Sequence, residues 1–192
     1  MSDKILNRTL QEITYNFFKK NIKNIIIILT ILIFILFSFF LYQHLQDKSN
    51  KETSEQYTKA SILINKDKKE DSKPILINII NKKHSFYSPL ALFLIINNNM
   101  EENSEKIINY FDQILKIRSI DDENLNLIKI KKAFFLFNTD NEELIVKTLN
   151  PVINSNSVWK NMATQLITDY FLSRGEFKKA DEYKRLINNT SK

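Results

Sequence analysis

Histidine and cysteine, which often bind metals or take part in catalysis, are rare or absent in this chain. Its two histidines, His44 and His84, stand forty residues apart, and neither has a second histidine at the spacing that puts two ligands on one face of a helix. The sequence has no cysteine, which excludes disulfides, thiolate metal ligands and cysteine nucleophiles. We interpret both histidines as surface residues and predict no metal site.

Carboxylates occur as neighbouring pairs at residues 101–102, 121–122 and 142–143. Adjacent residues on a helix do not face each other, so these pairs fit charge near a helix N-terminus better than an acid–base couple. Gly175 is the one glycine of the sequence, whereas a GxSxG nucleophile turn and the phosphate-binding loops each need several. We find no candidate catalytic residue, and we predict that the chain is not an enzyme and needs no cofactor.

One long apolar run decides where the rest of the chain lies. Residues 24–42, NIIIILTILIFILFSFFLY, contain no charged side chain. As a helix, residues 25–42 extend roughly 27 Å, close to the roughly 30 Å hydrocarbon thickness of a bilayer. A cleaved signal peptide would end in small residues, but residues 41–45 are large, and 192 residues supply too little protein to surround a core helix. The sequence predicts an uncleaved transmembrane helix over residues 24–42.

Basic residues indicate how this helix is oriented. Lys19, Lys20 and Lys23 stand at its N-terminal boundary with two more basic residues upstream, whereas the twenty residues after it contain three. Lys and Arg are retained on the cytoplasmic side of a membrane. We therefore predict that residues 1–23 form a basic cytoplasmic arm and that residues 43–192 lie across the membrane, in the periplasm of a bacterial cell.

Half of the net charge of +6 lies in that short arm. Residues 1–23 hold five basic and two acidic side chains, and residues 43–192 hold twenty-three and twenty. The larger segment lacks the concentrated basic surface that nucleic acid attracts, so we predict no nucleic-acid binding.

The arm itself carries an apolar stripe at helical spacing, formed by Leu6, Leu10, Ile13 and Phe17. The stripe fits an amphipathic helix on the cytoplasmic leaflet, with its basic residues near anionic head groups. It fits equally a short tail that continues the membrane helix.

Short helices separated by polar turns are predicted after the span, and no segment alternates with period two for long enough to predict a strand. After a helical stretch that continues to about residue 64, the predicted helices run from a capping Ser72 to about residue 80, over 88–96, 104–116 and 121–137, from 142 to near Pro151, and over 157–174 and 176–188. Residues 43–192 are therefore predicted to form an all-α domain.

The helices also repeat at a fixed interval. Ile75, Ile108, Leu144 and Ala180 occupy similar places in the second helix of successive pairs, at separations of 33, 36 and 36 residues. This is the length of one helical hairpin in a solenoid, where each hairpin buries its apolar face against the next. The spacing favours an α-solenoid over a generic helical bundle.

The last hairpin, in the segment DYFLSRGEFKKADEYKRLI, resembles the tetratricopeptide repeat. In that repeat a glycine makes the tight turn, an aromatic residue plugs the hairpin and an alanine lets two helices approach. The matching residues, to which the resemblance assigns repeat packing, are Tyr170, Phe171, Gly175, Phe177, Ala180 and Tyr183. Residues 98–100 and 139–140 stand where the second and third pairs would carry the glycine.

A second stripe precedes this hairpin, formed by Trp159, Ala163, Leu166 and Tyr170 at spacings of four, three and four. It fits core packing between hairpins better than a ligand-binding aromatic face. We therefore assign Trp159 to repeat packing as well.

The order of features, a basic arm, one span and then hairpins that include SPLALFLI and SVWKNMATQLITDYFLSRGEFKKADEY, resembles the YfgM-like family over most of the chain. That family is an ancillary subunit of the bacterial Sec translocon. The resemblance implies a single-pass inner-membrane protein whose periplasmic domain binds other proteins, with the SecYEG translocon and periplasmic chaperones as partners.

Two other functions stay open from the sequence. One is a structural organiser of envelope assembly or cell division without a role in translocation. The other is a membrane-bound enzyme or sensor, which would require convergent polar residues in a pocket.

Overall fold

The structure is a computed structural model that describes residues 2–139 and 141–188. Side chains are described at residues 15, 19, 21–24, 26–41, 43–139 and 141–186. The helices within these residues are α1 Ser2–Asn65, α2 Lys69–Asn81, α3 Tyr87–Asn97, α4 Ser104–Ile114, α5 Asp122–Leu136, α6 Glu142–Ile153, α7 Lys160–Ser173 and α8 Phe177–Asn188. No strand occurs in the described part of the chain, so the predicted all-α fold is confirmed.

The chain divides into two compact units, residues 1–51 and residues 52–192. The first unit is formed by α1 alone, and its large apolar side chains are exposed from Ile26 to Leu41. From Asn21 onward α1 is long and apolar enough to cross a membrane, with a mean hydropathy of 3.1 in its most apolar window. Within this run the Thr30 hydroxyl donates to the carbonyl of Ile26 at 2.8 Å, so its polar atom has a partner inside the helix.

The backbone of α1 is continuous from Ser2 through the apolar run. Lys19 and Lys23 are exposed just before the apolar run. The side chains of the predicted stripe and of one orienting lysine lie outside the described residues: Leu6, Leu10, Ile13, Phe17 and Lys20.

The helices of the second unit begin and end within three residues of the predicted positions. The prediction that Ser72 caps α2 is wrong, because α2 begins at Lys69 and the buried Ser72 hydroxyl donates to the carbonyl of Ala60 at 3.0 Å. Helix α6 ends at Ile153, two residues after Pro151, near which it was predicted to stop. A proline this close to the helix end removes one hydrogen bond without breaking the turns before it.

Three turns share one backbone geometry. Asp67, Asn99 and Gly175 follow α1, α3 and α7 with positive φ angles of 58°, 51° and 74°. In each turn the amide of the next residue donates to the carbonyl five residues earlier, at 2.9, 3.0 and 2.9 Å. This pattern is the Schellman ending of a helix, which favours glycine and tolerates asparagine. Asn99 therefore replaces the expected turn glycine without changing the turn.

The core of the second unit lies between helices that are neighbours in the chain. From α2 to α8 each helix packs on the next, and α2 also contacts α4 and α5 contacts α7. The buried side chains form two clusters, one from Ala60 to Ile128 and one from Ile130 to Ala180. Helix α5 contributes to both clusters, so it joins the two halves of the domain.

Candidate functional site

Most residues assigned to the last hairpin lie in its core. Tyr170, Phe171 and Ala180 are almost fully buried. The rings of Phe171 and Tyr183 stack with centroids 5.7 Å apart and planes 15° from parallel. Gly175 ends α7 in the left-handed conformation, which glycine adopts at no steric cost.

Phe177 is the exception. Its side chain is 67% exposed, so the predicted packing role does not hold for it. Phe177 is the first residue of α8, and the ring that fills the hairpin is Phe171, which touches Tyr170 and Tyr183. The sequence pattern indicates an aromatic plug without distinguishing which of two nearby phenylalanines supplies it.

The predicted stripe on α7 divides between core and surface. Ala163 and Tyr170 are buried, as core packing requires. Trp159 and Leu166 are half-buried, and they pack against the core while also lining an open groove. Core packing therefore holds for the stripe, and Trp159 and Leu166 also present part of their surface to the groove.

This groove lies between α5 and α7, which run side by side in the same direction. Near their N-terminal ends the Ser157 hydroxyl donates to Glu123 Oε2 at 2.7 Å, and near their C-terminal ends the rings of Phe137 and Tyr170 lie 5.1 Å apart. The groove has a volume of about 680 Å³ and is lined by Leu127, Ile130, Lys131, Phe134, Trp159, Met162, Gln165, Leu166 and Asp169.

A second hollow of about 300 Å³ adjoins the first. It is lined by Phe93, Ile96, Asn97, Phe111, Lys131, Phe134, Phe135 and Asn138. Lys131 and Phe134 line both hollows, so these side chains stand between them. We call the two hollows together the long groove; its lining comes chiefly from α3, α5 and α7.

Two large apolar side chains of the long groove face solvent. Phe134 is 63% exposed and Met162 is 52% exposed. Apolar side chains that line a hollow with a few polar groups at its border are typical of sites that bind other molecules. The long groove is therefore the candidate functional site.

Charged groups of opposite sign border the apolar lining. Lys131 projects from α5, and Asp169 belongs to α7, where its Oδ1 accepts a hydrogen bond from Gln165 Nε2 at 2.8 Å. Neither Lys131 nor Asp169 forms an ion pair among the described residues. Both charges can therefore meet groups on a bound molecule.

The histidines have no arrangement that suggests chemistry. His44 is exposed on α1. His84 Nδ1 accepts hydrogen bonds from the backbone amides of Phe86 and Tyr87, both at 3.2 Å, and so holds the start of α3. Burial lowers the pKa of His84, which keeps the ring neutral and able to accept. No group of three or more potential metal ligands occurs among the described residues.

The carboxylate pairs serve the fold in separate ways. Asp121 accepts the amide of Asn124 at 3.0 Å and caps α5, as predicted. Glu101 is largely covered, and the Asn103 amide at 3.1 Å, with Lys73 at 3.3 Å, holds the pKa of its carboxyl below the usual range.

The third pair connects two helices. The carboxylate of Glu142 on α6 lies 2.7 Å from the Lys179 ammonium on α8, and the neighbouring Glu176 lies 2.6 Å from the same group. These two carboxylates raise the pKa of Lys179. None of the three pairs brings two carboxylates together over a cavity.

The exposure of Phe134 was not predictable from the stripe that contains it. Leu127, Ile130, Phe134 and Phe137 recur at helical spacing on α5, which predicts one buried face. The neighbouring Phe135, which packs on the first core cluster, could have indicated that Phe134 is exposed. Adjacent phenylalanines point to different sides of a helix, so α5 has more apolar surface than one core face accommodates.

Comparison of the chain with family models, curated proteins and solved structures finds no match. The resemblance to the YfgM-like family therefore stays a prediction drawn from the residues that carry it. The function of the chain is accordingly inferred from the geometry of the long groove and from the apolar helix.

Proposed function

We propose that this chain is a membrane-anchored scaffold that binds other polypeptides in the long groove. The observation that carries the proposal is the exposure of Phe134 and Met162 beside the half-buried Trp159. Aromatic side chains and methionine are enriched at protein–protein contacts, because they bury a large apolar area when a partner arrives.

The proposal includes a stack of tetratricopeptide-like hairpins, α1 with α2, α3 with α4, α5 with α6 and α7 with α8. The shared Schellman turn within three of these pairs supports it, as does the contact of α5 with α7 across one intervening helix. The first helices of the last three pairs line the long groove. In a helical solenoid such a surface is the usual site of partner binding.

The proposed location is the bacterial inner membrane, with the N-terminus in the cytoplasm and residues 43–192 in the periplasm. Lys19, Lys20 and Lys23 before the apolar helix support this orientation. An anchored domain meets its partners at a raised effective concentration, so weak contacts suffice.

The proposed partners are the SecYEG translocon and periplasmic chaperones, which the YfgM-like resemblance supplies. In this role the scaffold would hold newly translocated proteins and their chaperones near the exit of the channel. The apolar lining of the groove is the reason to propose a polypeptide partner, and the YfgM-like resemblance is the reason to propose the translocon and chaperones.

Co-purification tests the partners. The full chain is isolated from membranes in mild detergent as wild type, as Phe134→Ala and as Phe86→Ala. Phe86 is 62% exposed and lies outside the long groove, which makes it a matched control for Phe134. We expect translocon subunits with the wild type and the control, and a reduced amount with Phe134→Ala. Recovery of division or envelope-assembly proteins without translocon subunits would overturn the translocation role and support the organiser.

Protease treatment of spheroplasts tests the orientation. We expect residues 43–192 to be digested in intact spheroplasts. Protection of this segment until the membrane is disrupted would reject the proposed topology.

A further inference from the structure

We propose that the occupant of the hollow between α5 and α7, the larger part of the long groove, is an amphipathic α-helix with an apolar stripe, acidic residues on one flank and basic residues on the other. This inference rests on the proposed function, since it names the kind of polypeptide that the scaffold binds. Three features of the groove lead to it: its walls, its length and the charges at its rims.

The walls offer little to an extended peptide. Along α5 and α7 the backbone amides and carbonyls are used within the helices, so the groove presents side chains and no free sheet edge. In the hollow between α5 and α7 an extended strand would place most of its amides and carbonyls against apolar side chains, which offer them no partners, and this is costly. A helix satisfies these groups internally, and it can place its apolar face on the groove without that loss.

The length of the groove suits two to three helical turns. Its lining on α7 runs from Trp159 to Asp169, which corresponds to about 15 Å along the helix axis. A partner helix with apolar residues at positions i, i+3 or i+4, and i+7 spans about 10 Å. Three such side chains can therefore contact Trp159, Met162 and Phe134 from one helix face.

The rims specify the charges on the partner. Lys131 stands on the α5 side and Asp169 on the α7 side of the same apolar lining. A helix in the groove gains when its acidic residues face α5 and its basic residues face α7, because like charges would otherwise meet at both rims. The stripe therefore needs a negative flank and a positive flank, which distinguishes it from a uniformly basic or acidic helix.

Binding of a synthetic peptide tests the inference. The probe is a fluorescently labelled 14-residue peptide with leucines at i, i+3 and i+7, glutamates along one flank and lysines along the other. The full chain is held in nanodiscs, and empty nanodiscs correct for binding to lipid. A peptide of the same composition, rearranged to alternate with period two, is the control for shape. We expect saturable anisotropy with the first peptide and none with the second.

Substitutions then locate the site. Phe134→Ala and Met162→Ala should each weaken binding by about tenfold, since both truncate central apolar contacts. Phe86→Ala should leave binding unchanged. Circular dichroism melting of each variant confirms that it is folded, and two independent groove variants keep the test decisive if one of them is unstable.

Charge reversal tests the assigned flanks. Lys131→Glu makes both rims acidic, so it should weaken binding of the original peptide by about threefold whichever way the helix runs. The same variant should bind a peptide with lysines on both flanks at least as well as the wild type binds the original. Equal binding of the original peptide by Lys131→Glu and the wild type would show that the charges at the rims do not contribute to binding.

The inference is overturned if both peptides bind equally, if the alternating peptide binds more tightly, or if Phe134→Ala and Met162→Ala bind like the wild type. If peptide binding fails while translocon subunits still co-purify, the helical occupant is wrong and the proposed function stands. If the peptide binds as expected and no translocon subunits co-purify, the partners are wrong and the helical occupant stands.

Discussion

Replacing Gly175 with alanine should destabilise the domain by about 1 kcal/mol. Gly175 has a φ of +74°, a conformation that costs an L-residue roughly 1–2 kcal/mol. No atom lies within 4 Å of the added Cβ, so the substitution introduces no clash. Alanine also reduces the entropy of the unfolded chain, which returns about 0.4–1 kcal/mol. The strain is the larger effect.

The reverse change should stabilise the domain. Lys83 has a φ of 54° in the turn after α2, and its side chain is exposed. Lys83→Gly removes the strain and should raise the free energy of unfolding by about 0.5–1 kcal/mol. Lys147 is the matched control, because it is exposed within the right-handed helix α6. Lys147→Gly should lower the free energy of unfolding by about 1 kcal/mol.

Urea denaturation of the full chain in nanodiscs measures these changes. Trp159 is the one tryptophan of the sequence, so its fluorescence reports unfolding of the second unit. With a urea dependence of about 2 kcal/mol per molar, a change of 1 kcal/mol moves the midpoint by about 0.5 M. Gly175→Asn should cost less than Gly175→Ala, because asparagine tolerates this conformation.

The directions of the midpoint shifts test this reasoning. If Lys83→Gly and Lys147→Gly move the urea midpoint in the same direction, the positive φ angle of Lys83 does not destabilise the domain. A midpoint for Gly175→Ala equal to that of the wild type would refute the reasoning for the turn after α7.

Three further perturbations test side chains that hold the domain together. The neutral His84 stabilises the fold fully above pH 6.5, and this contribution is lost as the pH falls through its lowered pKa. The melting temperature of His84→Asn should therefore depend less on pH between pH 5 and 8 than that of the wild type. The depressed pKa of Glu101 means that its ionised carboxylate stabilises the fold above pH 4.5 and that this contribution is lost below it. The melting temperature of Glu101→Gln should therefore change less between pH 3 and 6 than that of the wild type. Lys132 is 5% exposed and lies 2.6 Å from the half-exposed Asp112. Lys132→Met should change the free energy of unfolding by less than about 1 kcal/mol, whereas Asp112→Ala should cost about 1–2 kcal/mol, because it leaves a largely buried ammonium with water as its only partner.

Each of these has an outcome that contradicts it. If the melting temperatures of the wild type and His84→Asn depend equally on pH, the His84 imidazole does not stabilise the start of α3. A Glu101→Gln variant as sensitive to acid as the wild type would assign that sensitivity to other carboxylates. Equal losses in Lys132→Met and Asp112→Ala, measured by urea denaturation, would show that water fully replaces Asp112 as the partner of the Lys132 ammonium.

The sequence predicts the helices well because their signals are local. Asp121 marks the start of α5 and Gly175 the end of α7, and each acts through bonds to residues within five positions. The apolar helix is equally local, since length and composition alone identify it. The prediction for Ser72 is wrong because its partner, the carbonyl of Ala60, belongs to another helix.

The groove could not be predicted from the sequence, because it too depends on contacts between different helices. Whether Phe134 is buried depends on which face of α5 the neighbouring helices cover, and the spacing of apolar residues along α5 leaves that open. Phe177 illustrates the point within one hairpin, because Phe171 already fills the space between the helices. Periodicity identifies apolar faces, and only tertiary packing decides which of them stays in water.

The division of the core within α5 has a mechanical consequence. Ile128 belongs to one cluster and Ile130 to the other, so the two halves of the core meet within one turn of α5. Phe134 lies between the two hollows, and a ligand that fills both would brace the halves against each other. Amide hydrogen exchange in α7 would then slow when the Phe93 side of the groove is occupied, and the domain would respond to its cargo by stiffening.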